Sequence, residues 1–229
     1  MVEASAWTAT VLSLFPEMFP GSLGQSLAGK ALARGTWQLD VRDIRAQASD
    51  LHGSVDDMPF GGGAGMVLKP EPLFESIESL ATEESTVIYM SPDGENLSTP
   101  LAQELAEEKH LVVISGHYEG IDQRVRDSKV DREVSIGDYV LTNGTLAAAV
   151  LIDAVSRFVP GVLGKEESLE QDAFADSLLS HPQYTRPAEY RGIKVPDILL
   201  SGHHKSILNW RQTHRVEKTR DRRPDLLVT

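Results

Sequence analysis

The stretch HLVVISG (residues 110–116) is a nearly unbroken apolar run that ends in a serine and a glycine, and TVIYMS (86–91) has the same character. Central strands of a parallel sheet are buried on both faces, so they read as continuous apolar runs rather than alternating ones. Three further runs rich in β-forming residues occur at 7–15, 37–44 and 131–137. Helix-like segments separate these runs, which predicts an α/β fold with a mostly parallel sheet.

The intervening helices are predicted near 17–34, near 71–82, in STPLAQELAEE (98–108) and in TLAAAVLIDAVSRFV (145–159). The third segment opens with a Ser/Thr cap. The fourth is apolar on most sides, which indicates a buried helix.

The overall composition favours a soluble chain. Hydrophobic residues make up 41% of the 229 positions, enough for a full core, and there is no cysteine. A chain without thiols suits a reducing cytosol. No apolar run reaches the roughly 20 residues that a membrane helix needs, and the N-terminus lacks the basic start of a signal peptide. We therefore expect a cytoplasmic protein that does not enter a membrane.

The charge is divided unevenly along the chain. The net charge of −12 argues against a nucleic-acid partner, but residues 181–229 carry ten Lys/Arg against five Asp/Glu. A basic tail on an acidic body can guide a polyanion to one end of the molecule. An ordinary solvated helix would give the same pattern.

The chain changes character after Pro160. The polar, acidic stretch 161–177 is typical of a mobile linker. A small segment with basic helical character follows it.

Three glycine-bearing loops follow predicted strands: SPDGENLS (91–98), GHYEGIDQRV (116–125) and GDYVLTNGT (137–145). Ligands of open parallel sheets bind outside the carboxyl ends of the strands. Backbone donors and acceptors there would suit an adenine edge and a ribose. The alternative is that each loop is only a connection.

The glycine-rich stretch DDMPFGGGAGM (56–66) is not a phosphate loop, because it lacks the Lys-Ser/Thr pair that follows the last glycine of such loops. Its aspartates would repel phosphate. It predicts either a close approach of something flat and uncharged to the backbone or a simple turn.

No metal or nucleophile motif stands out. His117 and the pair His203–His204 lack metal-site spacing, and no nucleophile elbow or cysteine is present. Catalysis would have to use carboxylate, arginine, histidine or tyrosine. Arg157 follows an otherwise apolar helix, where it could equally be a cation favoured by the helix dipole.

Eight motifs in order make the chain recognisable: LFPEMF (14–19), DDMPFGGGAGM (56–66), SPDG (91–94), GHYEGIDQRV (116–125), SIGDYVLTNG (135–144), LIDAVSRFVPGVLGK (151–165), YTRP (184–187) and LSGHH (200–204). Together they resemble the bacterial tRNA (guanine-N1)-methyltransferase family over nearly the whole chain.

The resemblance implies an α/β methyltransferase of the SPOUT class with a deep trefoil knot, a feature that no general topology rule would predict. It implies a knotted domain over 1–160 and, after the linker 161–177, a small helical tRNA-binding domain over 178–229. It also implies S-adenosylmethionine as methyl donor and a homodimer with a shared active site. The implied substrate is guanosine 37 of a tRNA in which another guanosine precedes it. The sequence leaves a magnesium requirement open.

The site residues follow from the matching motif positions. The resemblance implies Asp172 as general base, Arg157 as the arginine that stabilises guanine O6, and Asp56 and Gly65 in the guanine pocket. The implied donor pocket consists of Pro92, Gly116, Tyr118, Glu119, Gly120, Ile136, Gly137, Asp138, Tyr139, Val140, Leu141 and Gly144.

The assignment makes chemical sense, because a carboxylate can take the N1 proton of guanine and an arginine can stabilise the charge that develops on O6. The chain departs from the family pattern at Asn143, Thr145, Ala147 and Ser180. Two alternatives stay open: a related knotted enzyme that methylates another nucleotide, and a non-catalytic RNA-binding module.

Overall fold

The computed structural model describes residues 6–49, 53–163 and 172–227. The chain divides into two compact units, Met1–Gly164 and Lys165–Thr229, and each is described here by itself. Of the predicted linker 161–177, residues 164–171 lie outside the described residues.

The N-terminal unit is built on a five-stranded sheet in the order β2-β1-β6-β5-β7. All four strand pairs are parallel. The strands are β1 (Trp7–Ser13), β2 (Trp37–Asp43), β5 (Ser85–Asn96), β6 (His110–Ser115) and β7 (Arg132–Ser135). A separate antiparallel ribbon joins β3 (Asp56–Asp57) to β4 (Val67–Leu68) and closes the glycine-rich stretch into a loop.

Helices cover both faces of the sheet. They are α1 (Ser26–Ala33), α2 (Pro70–Leu80), α3 (Thr99–Glu107), α4 (Gln123–Lys129) and α5 (Thr145–Ser156). In β6, Leu111 and Val113 pack into the core cluster that contains α1, α3 and α5, whereas Val112 and Ile114 pack into the opposite cluster, with α2 and α4. The prediction of an α/β fold with a mostly parallel sheet is confirmed, and burial on both faces explains the unbroken apolar runs.

Two predicted elements differ most from the bounds that the structure shows. The helix expected near 17–34 forms only from Ser26 to Ala33, after two short 3-10 turns. Strand β5 was expected to end at residue 91, but it resumes after a register shift between Met90 and Glu95 and pairs with β7 again. The residues between them bulge out of the sheet, as an insertion into one strand of a pair must.

The C-terminal unit contains a short hairpin of β8 (Glu189–Tyr190) and β9 (Ile193–Lys194), followed by α6 (Asp197–Leu200) and the long helix α7 (His204–Arg222). Across the described ranges of both units, no helix combines the length and apolar character needed to cross a bilayer.

Candidate active site

A pocket of about 310 Å³ lies at the carboxyl edge of the sheet. Three chain segments form most of its wall: the bulge of β5, the loop after β6 and the loop between β7 and α5. These are the three strand-end loops that the sequence singled out. Parallel strands bring their carboxyl ends to one edge, so segments far apart in sequence share one cavity.

Eleven of the twelve residues predicted for the donor pocket line this cavity: Pro92, Gly116, Tyr118, Glu119, Gly120, Ile136, Gly137, Tyr139, Val140, Leu141 and Gly144. Asp138 is the twelfth and does not line it. The structure thus brings the predicted set together, while their role in binding a donor stays a prediction.

The floor of the pocket leaves no room for side chains at two glycines. A Cβ atom on Gly144 would lie 2.8 Å from the backbone nitrogen of Gly116. The Gly144 N–H donates to the Gly116 carbonyl at 2.7 Å, so the two loops are joined backbone to backbone. At Gly116 itself, a Cβ atom would lie 2.8 Å from the ring of Tyr89.

Three of the residues that the sequence analysis noted as departures from the expected pattern have local structural roles. The Asn143 side chain accepts from the N–H of Thr145, the first residue of α5, at 2.9 Å. The Thr145 hydroxyl lies 3.1 Å from that of Ser115, deep between β6 and α5. Ala147 is nearly buried and lines the pocket. These residues therefore support the loop that forms the pocket.

Tyr89 and Arg126 are among the lining residues that the sequence did not indicate. The Arg126 guanidinium lies 5.5 Å from the centre of the Tyr89 ring and donates two hydrogen bonds to Glu133, at 2.8 and 2.6 Å. A third, at 3.2 Å, reaches Asp93. Burial raises the pKa of the Tyr89 phenol, partly offset by Arg126, so the phenol stays protonated. The position of Tyr89 at the end of an apolar strand was the one available signal.

The charged side chains that line the cavity are Asp93, Glu119 and Arg126. The charge of Arg126 is already balanced by Glu133, and its hydrogen bonds with that carboxylate raise the pKa of the guanidinium. The excess of negative charge favours a ligand with a positive centre over an anionic one.

The glycine-rich loop lies beside this pocket. The Glu119 N–H donates to the Met66 carbonyl at 2.9 Å, and the Leu68 N–H donates to Gly120 at 3.0 Å. At Gly65 (φ +87°), a Cβ atom would lie 2.4 Å from the Glu119 carboxylate. Gly65 is thus placed next to the predicted donor pocket, and Asp56 lies at the other end of the loop, in β3.

The backbone of Tyr118 is left-handed, with φ +59°. Such a conformation is unfavourable for a bulky residue and often marks a functional loop. Its side chain is half-exposed, while the neighbouring His117 is buried with its ring centre 5.0 Å from that of Phe15. Burial lowers the pKa of His117, with a smaller contribution in the same direction from Arg45, so the imidazole is neutral at pH 7.

The two predicted catalytic residues lie in different units. Arg157 is exposed directly after the last turn of α5 in the N-terminal unit. Asp172 is half-buried at the first described position of the C-terminal unit. Within residues 6–49, 53–163 and 172–227, no group of three or more His, Asp or Glu side chains is arranged to hold a metal ion.

Comparison with known proteins places this architecture in context. Residues 8–229 match the family model described as tRNA (Guanine-1)-methyltransferase TrmD. Proteins named tRNA (guanine-N(1)-)-methyltransferase are 52% identical in Rhodospirillum rubrum and 53% in Brevibacillus brevis, each over 218 residues. These alignments cover 95% of this chain and 91% and 90% of the two relatives. A protein of the same name from Moorella thermoacetica is 52% identical over 222 residues.

Proposed function

Since the chain belongs to the tRNA (guanine-1)-methyltransferase family, we propose that it transfers the methyl group of S-adenosylmethionine to N1 of guanosine 37 in tRNA. The proposed target is a guanosine preceded by another guanosine. The observation that carries the proposal is the pocket at the sheet edge, whose wall is formed mostly by the loops at three strand ends.

The pocket fits the proposed donor in two respects. Loop backbone presents N–H and C=O groups that can hydrogen-bond an adenine edge and a ribose. The carboxylates of Asp93 and Glu119 favour a sulfonium, which is positively charged. When bound, the donor supplies an electrophilic methyl group, and the protein has to position it in line with the attacking nitrogen.

Asp172 and Arg157 carry the proposed proton chemistry. N1 of guanine bears a proton and is a poor nucleophile until that proton leaves. The Asp172 carboxylate accepts it, while the Arg157 guanidinium stabilises the negative charge that builds on O6. The base must leave the anticodon stack to reach both side chains, as bases do in other enzymes that modify them.

The guanine pocket is assigned to the loop between β3 and β4, with Asp56 and Gly65. This assignment is supported by the position of the loop, because the Gly65 backbone lies against Glu119 of the proposed donor pocket. A base held by this loop would have its N1 close to the donor. The glycines would thus allow the backbone to approach a flat ring.

A homodimer with a shared active site belongs to the same proposal. On α5, Leu146 is 57% exposed and Val150 is 46% exposed. Arg157 follows them at helical spacing, on the same side. An apolar patch of this kind suits an interface, and a second copy seated there would contribute its residues next to Arg157. The deep trefoil knot is proposed on the family resemblance, with the backbone junction between Gly116 and Gly144 as a compatible feature.

The C-terminal unit is proposed to contact tRNA through the basic residues of α7, and the protein to work in the cytoplasm. The side chains of Arg220 and Arg222 are exposed near the end of that helix, where they could reach phosphates.

A methylation assay with tRNA transcripts tests the function directly. Transcripts carrying G36-G37 should be methylated, and nuclease mapping should place the methyl group on N1 of residue 37. Matched transcripts with A37, or with A36 before G37, should react far more slowly. Methyl transfer to a ribose or to another base would contradict the proposal, as would binding of tRNA without transfer.

A further inference from the structure

The residues that follow the proposed base form a tight turn. We name Asp172–Ser180 the base segment. The Phe174 N–H donates to the Leu178 carbonyl at 2.9 Å, and the backbone is left-handed at Phe174 (φ +72°) and Ser177 (φ +62°). Non-glycine residues keep this conformation only when their surroundings enforce it. Something must therefore hold the base segment in shape.

The first contact that holds it is an ion pair with helix α7. Arg215 donates one hydrogen bond to each oxygen of the Asp176 carboxylate, one of them at 2.8 Å. A two-point contact of this kind fixes direction as well as distance. The Arg215 side chain is 14% exposed, so the pair is partly shielded from solvent on the arginine side.

The second set of contacts holds the backbone of the base segment. Thr219 is fully buried, and its hydroxyl accepts from the Leu179 N–H at 2.9 Å while donating to the Arg215 carbonyl at 2.7 Å. The Lys218 ammonium donates to the Ser180 carbonyl at 3.0 Å. This contact uses the backbone carbonyl of position 180, so it does not depend on the Ser180 side chain.

These three α7 residues share one side of the helix. Positions 215, 218 and 219 are three and four residues apart, which places their side chains together. Arg220 lies off this side and is exposed, and Arg222, one turn beyond Lys218, is exposed as well. The basic side chains of α7 thus fall into two groups. Arg215 and Lys218 hold the base segment, and only the exposed arginines are available to an external polyanion.

We propose that Arg215, Lys218 and Thr219 are positioning residues for the methyl transfer, which hold the base segment so that Asp172 meets the N1 proton of the target guanosine. They act through the Asp176 carboxylate and the backbone of Leu179 and Ser180, and they do not touch substrate. The inference rests on the proposed function, since it requires Asp172 to be the general base.

The test compares Arg215→Gln with Glu217→Gln, which changes an exposed side chain on the same helix. Single-turnover methyl transfer at saturating tRNA and donor should slow about 10- to 100-fold in Arg215→Gln, the cost of a base displaced by about 1 Å. Donor affinity should not change. Glu217→Gln should leave the saturated rate at the parent value. Equal saturated rates in the two variants and the parent would overturn the inference.

Two further measurements keep the result interpretable. Hydrogen exchange at the Leu179 amide should accelerate in Arg215→Gln and in the isosteric Asp176→Asn, while melting of the rest of the chain is preserved. In an Asp172→Asn background, Arg215→Gln should cause no additional loss of rate, because both changes remove the same function. Additive losses would show that Arg215 acts elsewhere and would overturn the inference.

The same variants distinguish failure of the positioning role from failure of the base assignment. If Asp172→Asn transfers methyl groups at the parent rate, the assignment of the base in the proposed function is wrong. If Asp172→Asn is slow but Arg215→Gln is not, the base assignment stands and the positioning role fails.

Discussion

Different kinds of atoms stabilise the pocket of the N-terminal unit and the base segment of the C-terminal unit. Backbone groups join the pocket loops, as at Gly144 and Gly116. Long side chains of α7 hold the base segment, as in the pair of Arg215 with Asp176. A site made of backbone is sensitive to added volume, whereas one made of charged side chains is sensitive to the loss of a single partner. The predictions below test this difference, from the largest expected effect to the smallest.

The largest effect is expected at Asp172, the proposed base. Asp172→Asn should lower the rate of methyl transfer at least about 100-fold, the usual contribution of a positioned base, and should leave donor affinity nearly unchanged. Single-turnover kinetics and donor calorimetry on the same protein measure both. Asp221→Asn, an exposed carboxyl on α7, is the control and should keep the parent rate.

Asp176 is not a good replacement for that base. Hydrogen bonds from Arg215 lower the pKa of the Asp176 carboxyl, and a carboxylate that already accepts from a guanidinium is a weaker proton acceptor. Full activity of Asp172→Asn would therefore leave the general base unassigned. It would also contradict the expected sensitivity of the base segment to the loss of one charged side chain.

The next effect concerns added volume in the pocket. Gly144→Ala should weaken donor binding, because the new methyl group would lie 2.8 Å from the Gly116 nitrogen. Overpacking costs about 1–3 kcal/mol, or about 5- to 150-fold in affinity. Calorimetry with S-adenosylmethionine measures the change.

Gly202→Ala is the matched control for that substitution. Gly202 has φ +71° with open space around it, so alanine there adds backbone strain and no crowding. Its donor affinity should equal that of the parent. A similar loss of affinity in both variants would mean that general destabilisation, and not the pocket floor, is being measured.

The third effect is electrostatic and concerns the exposed arginines. Replacing Arg220 and Arg222 by alanine should flatten the dependence of log tRNA affinity on log salt by about 0.7 to 0.9 for each phosphate that the variant no longer neutralises. Arg223 is already paired with Asp225 at 2.7 Å, so Arg223→Ala should change the slope less. An unchanged slope in the double variant would remove these residues from the RNA interface.

The smallest effect is the dependence of stability on pH. Burial lowers the pKa of His117 and, against a smaller opposing contribution from Asp40, that of His110. Below pH about 6.5 the unfolded chain therefore binds protons that the folded N-terminal unit does not, so its stability should fall as the pH drops through that value. The His110→Gln variant should lose part of this dependence, as measured by urea unfolding between pH about 7.5 and about 5.5.

The C-terminal unit should respond in another window. The lowered pKa values of Asp176 and Asp225 belong to carboxylates paired with arginine. The stability that these pairs contribute is present above pH about 4 and is lost as the pH falls further. Hydrogen exchange should show the N-terminal unit loosening first on mild acidification. Simultaneous loosening of both units at pH about 6 would contradict this order.

The sheet was predictable because its signal is local. The unbroken apolar runs 86–91 and 110–116 predicted strands buried on both faces, and Leu111 to Ile114 are divided between the two core clusters as expected. The return of β5 to the sheet was not predictable, since SPDG reads as a stop. Only the packing of Gly94 against the backbone of Glu133, where a Cβ atom would lie 2.4 Å away, shows why the chain can rejoin.

The site was predictable in its loops and not in its long side chains. Motif positions indicated many of the residues that line the pocket, because loops that follow parallel strands all lie at the same edge of the sheet. Arg126 and Arg215 carried no motif, and both act through partners 7 and 39 residues away in sequence. Pairings of that kind depend on tertiary placement, which residue types alone do not encode.

The backbone junction between Gly116 and Gly144 has a consequence for inhibitor design. A competitor that took its hydrogen bonds from main-chain groups of the pocket would meet atoms that are the same whatever the side chain. Escape by mutation would require either a new Cβ atom on the floor, where it would also obstruct the natural ligand, or a shift of a whole loop. Drug resistance at this pocket should therefore arise at Tyr118, Tyr139 or Val140, whose side chains line it and are at least half exposed.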